Sequence, residues 1–467
     1  MDRLDLPGLL AELSRGHRVP GAQLAVHRDG RTTTAEYGVQ TPGGPPVTAG
    51  TAFPLGSLTK PFTATLAAML ADDGDVGFGT PLAGSLPELG PYAADLTLGR
   101  LLSHTAGLAA NAEDADRAPS RRAWAEGHCG PAWPGIVPAF SYSNAGYVLA
   151  GHLIESVTGM TWWEAVEDLL LAPLEITPAY VAGPPTARRA VTGHSVHPSR
   201  DVVVAVAEEE SPVEAPDGAL ALSAADLVTF ARLHLGDPSL PALLGADTLL
   251  RMRVDRLAGA AIGPYGMADG WGLGWAIHRR DGVEWFGHDG TGEGTSCHLR
   301  ADPVSGTVVA LTTNANTGLA VWRDLVDRLA AAGAGVGVEV GDHRPLAALG
   351  PPVPGPPGCA GTYANGAARF EVAEDGAGRL SLRSTGAITC FPGLVFAVGE
   401  PPPHGRTAHA GRFIADAPGG NGFNLGGFGG GFGGGFGGGF GGGFGGGGRI
   451  GLIQVTGRLA RRLPPES

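Results

Sequence analysis

Ser57-Leu58-Thr59-Lys60 sets a hydroxyl and an amine three residues apart, a spacing that puts both side chains on one face of a helix, one turn apart. A pair of that kind can carry acyl transfer: a serine hydroxyl is a weak nucleophile until a neighbouring base takes its proton, and a helix N-terminus stabilises the negative charge that develops. A desolvated lysine amine can be that base, whereas a guanidinium does not give up its proton in a protein. Lys60 is the only lysine, so every other residue in the Lys+Arg total of 32 is an arginine. A chain that writes its fixed cations as arginine keeps one ionisable amine, beside a serine. The motif alone is short, because serine also caps helices and lysine also decorates surfaces.

Two further segments carry groups suited to the same work. Tyr142-Ser143-Asn144 follows a turn-rich stretch beginning after Pro138. A phenol beside a lysine can relay protons, and the Asn144 amide can orient Lys60 or hold a substrate carbonyl, although it could equally cap the helix that starts at Ala145. His288-Asp289-Gly290-Thr291 follows a strand, and Gly290 there would let a substrate lie close against the backbone. A single histidine in such a place can also be purely structural.

The elements that must position these groups are legible from periodicity and punctuation. Gln23 to His27 and Thr32 to Tyr37 flank Asp29-Gly30 and read as a hairpin. Leu58 to Ala71 is amphipathic and stops at Asp72-Asp73-Gly74, which puts Ser57 at a helix N-terminus. Ala145 to Val157 reads as a helix ended by Gly159, Thr161 and Glu164 form a capping box for the next, and Ser223 with Asp226 opens another. Trp271 to His278, Val283 to Phe286 and Thr307 to Thr312 read as antiparallel strands, with Leu319 to Leu329 a final helix. The order predicts a layered α/β domain, of the α+β kind, instead of a regular βαβ alternation.

Taken in chain order, Ser-x-x-Lys, Tyr-x-Asn and His-x-Gly resemble the three signature elements of the class C β-lactamases, D-peptidases and related esterases, the penicillin-recognising serine hydrolases. The likeness extends through Gly56 to Pro61, Leu101 to Leu108 and Phe140 to Tyr147, and covers about residues 10 to 330. It implies a β-lactamase/transpeptidase-like fold, an antiparallel sheet covered by helices with a helical subdomain. It further implies that Ser57 attacks the carbonyl, that Lys60 and Tyr142 take and return its proton, and that the backbone N–H groups of Ser57 and Thr291 form the oxyanion hole. Asn144, His288 and Gly290 would bind substrate, and His104 would be structural. Penicillin-cleaving members usually carry Lys-Thr-Gly where this chain has His288-Asp289-Gly290. A histidine is mostly neutral at pH 7 and Asp289 adds a negative charge next to it, so carboxylate recognition should be weak. An esterase or D-amino-acid amidase or peptidase is expected ahead of a β-lactamase or D-alanyl-D-alanine carboxypeptidase, and a non-catalytic binding module on the same fold is the remaining alternative.

At 467 residues the chain exceeds one core. The expected division is a hydrolase domain over 1–344, a linker over 345–358 with six prolines between Pro345 and Pro357, and a small β-barrel-like domain over 359–467. Residues 426–448 contain only Gly and Phe and are expected to be a mobile insertion between strands. A net charge of -13 without a basic cluster argues against nucleic acid and membrane surfaces. No cofactor or metal is expected, because the 14 histidines and four cysteines show no ligand spacing. The expected partner is a small ester or amide substrate. The N-terminal residues lack the pattern of a secretory signal, so a cytoplasmic location with reduced thiols is expected.

Overall fold

A computed structural model describes residues 5–128, 140–197, 200–207, 210–257, 262, 267–280, 282–332, 358–374, 380–385, 395–397, 411–416, 423–424, 450–455 and 457–464. The proline-rich linker before Gly358 and the 426–448 tract lie outside the described residues. The tract is bracketed by Phe423–Asn424 and Ile450–Val455, two strands of one sheet.

A seven-stranded sheet runs in the order Arg31–Gly38, Gly21–Arg28, Val308–Thr313, Thr295–Ala301, Val283–Gly292, Ala276–Arg280, Gly270–Trp271. Its pairs are antiparallel. The first hairpin turns where expected: Asp29 and Gly30 both have positive φ, 51° and 72°, the reversal that matches strand twist. Strand alternation sends Leu24, Val309 and Leu311 to one face, against the helices Leu6–Gly16 and Gly318–Ala331 with Trp322 and Leu325. Ala25, Val308, Ala310 and Leu299 go to the other, against the helices Lys60–Asp72 and Ala224–His234, where Phe62 and Phe230 stack at 3.7 Å. Each fully buried Leu or Phe of these layers contributes roughly 1.5–3 kcal/mol. The helices Leu98–Leu102, Arg121–His128 and Asn144–Thr158 extend that second layer sideways.

The expected capping box forms at Thr161 with Glu164, and Ser223 with Asp226, expected to open a helix, makes a second one. Three local expectations change. The helix after the nucleophile begins at Lys60, and Ser57 sits in the 3-10 turn Gly56–Thr59 that leads into it. Trp271 to His278 is two short strands, because Gly274 turns with φ 86° where a Cβ would lie 2.3 Å from that of Ala64 on the nucleophile helix. His288 to Thr291 does not follow a strand but lies inside Val283–Gly292.

The C-terminal residues form a second antiparallel sheet of eight strands, ordered Val395–Ala397, Leu380–Thr385, Ala368–Glu374, Gly361–Asn365, Arg458–Arg462, Ile450–Val455, Gly411–Asp416, Phe423–Asn424. No ladder among the described residues closes it into a barrel. Among the described residues, no helix is long and apolar enough to cross a membrane.

Candidate active site

The strand Val283–Gly292 presses directly on the turn that carries Ser57. A Cβ on Gly290 would lie 1.9 Å from the Leu55 carbonyl oxygen, and one on Gly56, which has φ 52°, would lie 2.3 Å from the Thr291 carbonyl oxygen. Glycine is required on both sides of this approach. The backbone around Thr291 therefore lies against the nucleophile turn, with Ser57 half-buried between them and its neighbours Leu58 and Thr59 sealed in the core.

Lys60 is completely buried, and its Nζ reaches 3.1 Å from Ser57 Oγ. It also donates to the Asp217 carbonyl oxygen at 3.0 Å and lies 3.6 Å from that residue's carboxylate. The Tyr142 ring centroid is 5.2 Å from the same nitrogen. Alcohol, amine and phenol thus share one small volume. Lys60 Nζ is met by Ser57 and Asp217, whereas Asn144 turns to another partner: its Nδ2 donates to Asn111 Oδ1 at 3.2 Å. It does not cap its helix. Ser143 does that by accepting from the Gly146 N–H, and Asn144 Oδ1 is left without a hydrogen-bond partner among the described residues.

Tyr142 is held from two directions. His104, just past the helix Leu98–Leu102 with φ 55°, accepts the Ser143 N–H on Nδ1, and its ring packs 4.2 Å from the phenol ring. Burial first, then the nearby Lys60 charge, holds His104 neutral and far below its usual range, which suits an acceptor. From the second sheet, the Gly457 carbonyl accepts the Tyr142 N–H at 2.9 Å, Gln454 Nε2 donates to the Phe140 carbonyl at 2.8 Å, and the Leu459 N–H donates to Ser141 Oγ at 3.2 Å. The Arg458 guanidinium lies 5.3 Å from the centroid of the phenol ring.

Tyr142 Oη, Asn144 Oδ1 and His288 Nε2 are buried polar atoms without hydrogen-bond partners in the described structure. Leaving such an atom unpaired costs about 1–3 kcal/mol, so each calls for an explanation. All three belong to residues that the spacing of the motifs singles out.

A family model described as Beta-lactamase matches residues 6–334. The chain belongs to the β-lactamase family. It is 36% identical over 333 residues to Penicillin-binding protein 4 of Amycolatopsis lactamdurans, covering 68% of this chain and 87% of that one. The crystal structure of SurE, also solved with D-Leu, is 35% identical with a TM-score of 0.76 and covers 98% of both chains. The D-amino acid amidase of Ochrobactrum anthropi SV3, complexed with L-phenylalanine amide, is 25% identical with a TM-score of 0.58 over 71% of this chain and 99% of that one.

One expectation for this β-lactamase-family site is refined: the Asp289 charge does reach His288, but its carboxylate is turned to the opposite face and paired there. Neighbours on a strand point to opposite faces, and Asp289 faces the layer of Trp322, where Arg300 meets both carboxylate oxygens at 2.8 Å and His298 meets one at 2.7 Å. Against the cost of burial, Arg300 and His298 hold this carboxyl well below the usual carboxylate range. The Asp289→Asn variant should consequently act on stability: it leaves a fully buried guanidinium unpaired, at a cost of about 3–5 kcal/mol. Urea titration would show that loss. A variant as stable as the parent but altered in substrate preference would contradict this placement.

Asp217 is the site residue that motif spacing does not reveal. Burial raises its carboxyl pKa, while Lys60 pulls the other way, and the adjacent Glu214 is pushed up to about 7 by burial and by Asp217. Its Ala-Pro-Asp-Gly setting, now the short helix Ala215–Gly218, reads as a turn and lies 157 residues from Lys60. A separate cleft of about 370 Å³ is lined by Pro87, Glu88, Arg122 and His152, two turns along the helix from Asn144. Glu88 and His152 pair with each other across it.

Proposed function

We propose that the chain is a serine hydrolase that works through an acyl-enzyme on esters or amides, with D-configured amino-acid acyl groups as its substrate class. The observation that carries this reading is the fully buried Lys60 amine 3.1 Å from Ser57 Oγ, with a partnerless phenol beside it. In this mechanism Lys60, in its amine form, takes the Ser57 proton as Oγ bonds to the carbonyl carbon. The oxyanion that forms is held by the backbone N–H groups of Ser57 and Thr291, whose segments abut. Tyr142 passes the proton to the leaving oxygen or nitrogen as that bond breaks. Water, giving up a proton by the same route, then releases the acid. The D-preference draws on SurE having been solved with D-Leu and on the neighbouring D-amino acid amidase.

The relative named Penicillin-binding protein 4 favours a second reading, cleavage of a β-lactam or a D-alanyl-D-alanine peptide. The two are separated by one panel: p-nitrophenyl esters and amides of D- and L-amino acids, a cephalosporin and D-Ala-D-Ala, with Ser57→Ala as control. The first reading expects D-esters and D-amides to lead and the cephalosporin to trail. A faster cephalosporin reverses the order. Failure of a fluorophosphonate to label Ser57 would leave only a non-catalytic binding module.

A further inference from the structure

His288 Nδ1 lies 2.6 Å from the Asp289 carbonyl oxygen. A carbonyl oxygen has lone pairs and no hydrogen, so the ring nitrogen must be the donor. The single N–H of a neutral imidazole is then spent on Nδ1, and Nε2 is left as a bare lone pair. Burial, and after it the Lys60 charge, keeps the ring neutral with its pKa pushed down to about 3. The side chain is 1% exposed. Among the described residues no group hydrogen-bonds Nε2, although Trp271 Nε1 and Tyr142 Oη, likewise without partners among them, sit on rings centred 5.4 and 6.5 Å away.

Strand alternation fixes where this lone pair is presented. His288 shares its strand face with Gly290, two residues on, and Gly290 abuts the turn around Ser57. Two residues of strand span roughly 7 Å, about the reach of a group some four or five bonds beyond a scissile carbonyl. The neighbouring ring is Tyr142, the group that returns the proton to the departing atom if the acyl-enzyme reading holds. That places His288 on the leaving-group side.

We propose that His288 is a specificity residue whose Nε2 accepts a hydrogen bond from the leaving portion of the substrate, selecting leaving groups that carry an N–H over those that present a carboxylate or an ester oxygen at that point. The proposal rests on the acyl-enzyme reading and sharpens it to amide-bearing leaving groups, such as a peptide or amidated amino acid.

Three esters of N-acetyl-D-alanine test it, identical at the scissile bond and differing in the end of the leaving alcohol: N-methylglycolamide, methyl glycolate and glycolate. The N-methylamide and the methyl ester differ by one N–H replaced by oxygen. Wild-type enzyme should favour the N-methylamide in kcat/KM by about 10- to 100-fold over the methyl ester, with the glycolate slower still. His288→Leu should bring the first two within about threefold, and His288→Lys should move the glycolate ahead. Equal wild-type rates for N-methylamide and methyl ester overturn the proposal without any variant having to fold, and so does a preference that persists in His288→Leu. Absence of Ser57-dependent turnover on all three removes the acyl-enzyme reading and this proposal with it.

Discussion

Lys60→Arg is expected to lower kcat/KM on a p-nitrophenyl ester by about 10³- to 10⁴-fold, as loss of a general base does. The substitution keeps a cation beside Asp217 and therefore isolates the one property arginine lacks, the capacity to serve as an amine base. The side chain is wholly buried, so the larger guanidinium also has to be accommodated, and strain of about 1–3 kcal/mol should appear in the melting temperature. Lys60→Met separates the two effects: it has no amine and little extra volume, and it should be as inactive as Lys60→Arg. Fluorophosphonate labelling rates and thermal melts of both variants make the measurement. An arginine variant within tenfold of the parent would show that the amine is not the base.

Tyr142→Phe should part activity from stability. The phenol oxygen is buried without a partner, so removing it deletes an unsatisfied group and nothing that the fold uses. The melting temperature is expected to stay level or rise, while kcat falls by about 10²- to 10⁴-fold. Ring contacts with His104 and Trp271 survive the change and keep the loop in place. A variant that turns over normally, whatever its stability, would remove the phenol from the mechanism.

Much of this site was legible because two of its three motifs, those of Ser57 and Tyr142, sit at helix starts with their own punctuation. The stop at Asp72-Asp73-Gly74 marks the helix behind Ser57, and the glycines that let strand and turn meet stand at Gly56 and Gly290. What was not legible depends on contacts between distant segments. Lys60 is held by a main-chain carbonyl at Asp217, and a carbonyl is the same in every residue, so no side-chain pattern announces it. The Thr295–Ala301 strand, which supplies Arg300 and His298, is interrupted in pattern by its polar residues and was not anticipated. The placement of Asp289 is different in kind. Period-two alternation was available in His288-Asp289, and it gives the answer once the segment is taken as strand instead of the loop beyond one.

The contacts from Gln454, Gly457 and Leu459 to residues 140–142 carry a temporal consequence. Gln454 meets Phe140 across 314 positions of chain, and Leu459 meets Ser141 across 318. During synthesis the nucleophile turn can fold long before the phenol-bearing segment receives its last supports. A nascent or truncated product would then hold the serine and lysine with a tyrosine braced from the His104 side alone, so catalytic competence would arrive late, with the closing strands of the second sheet.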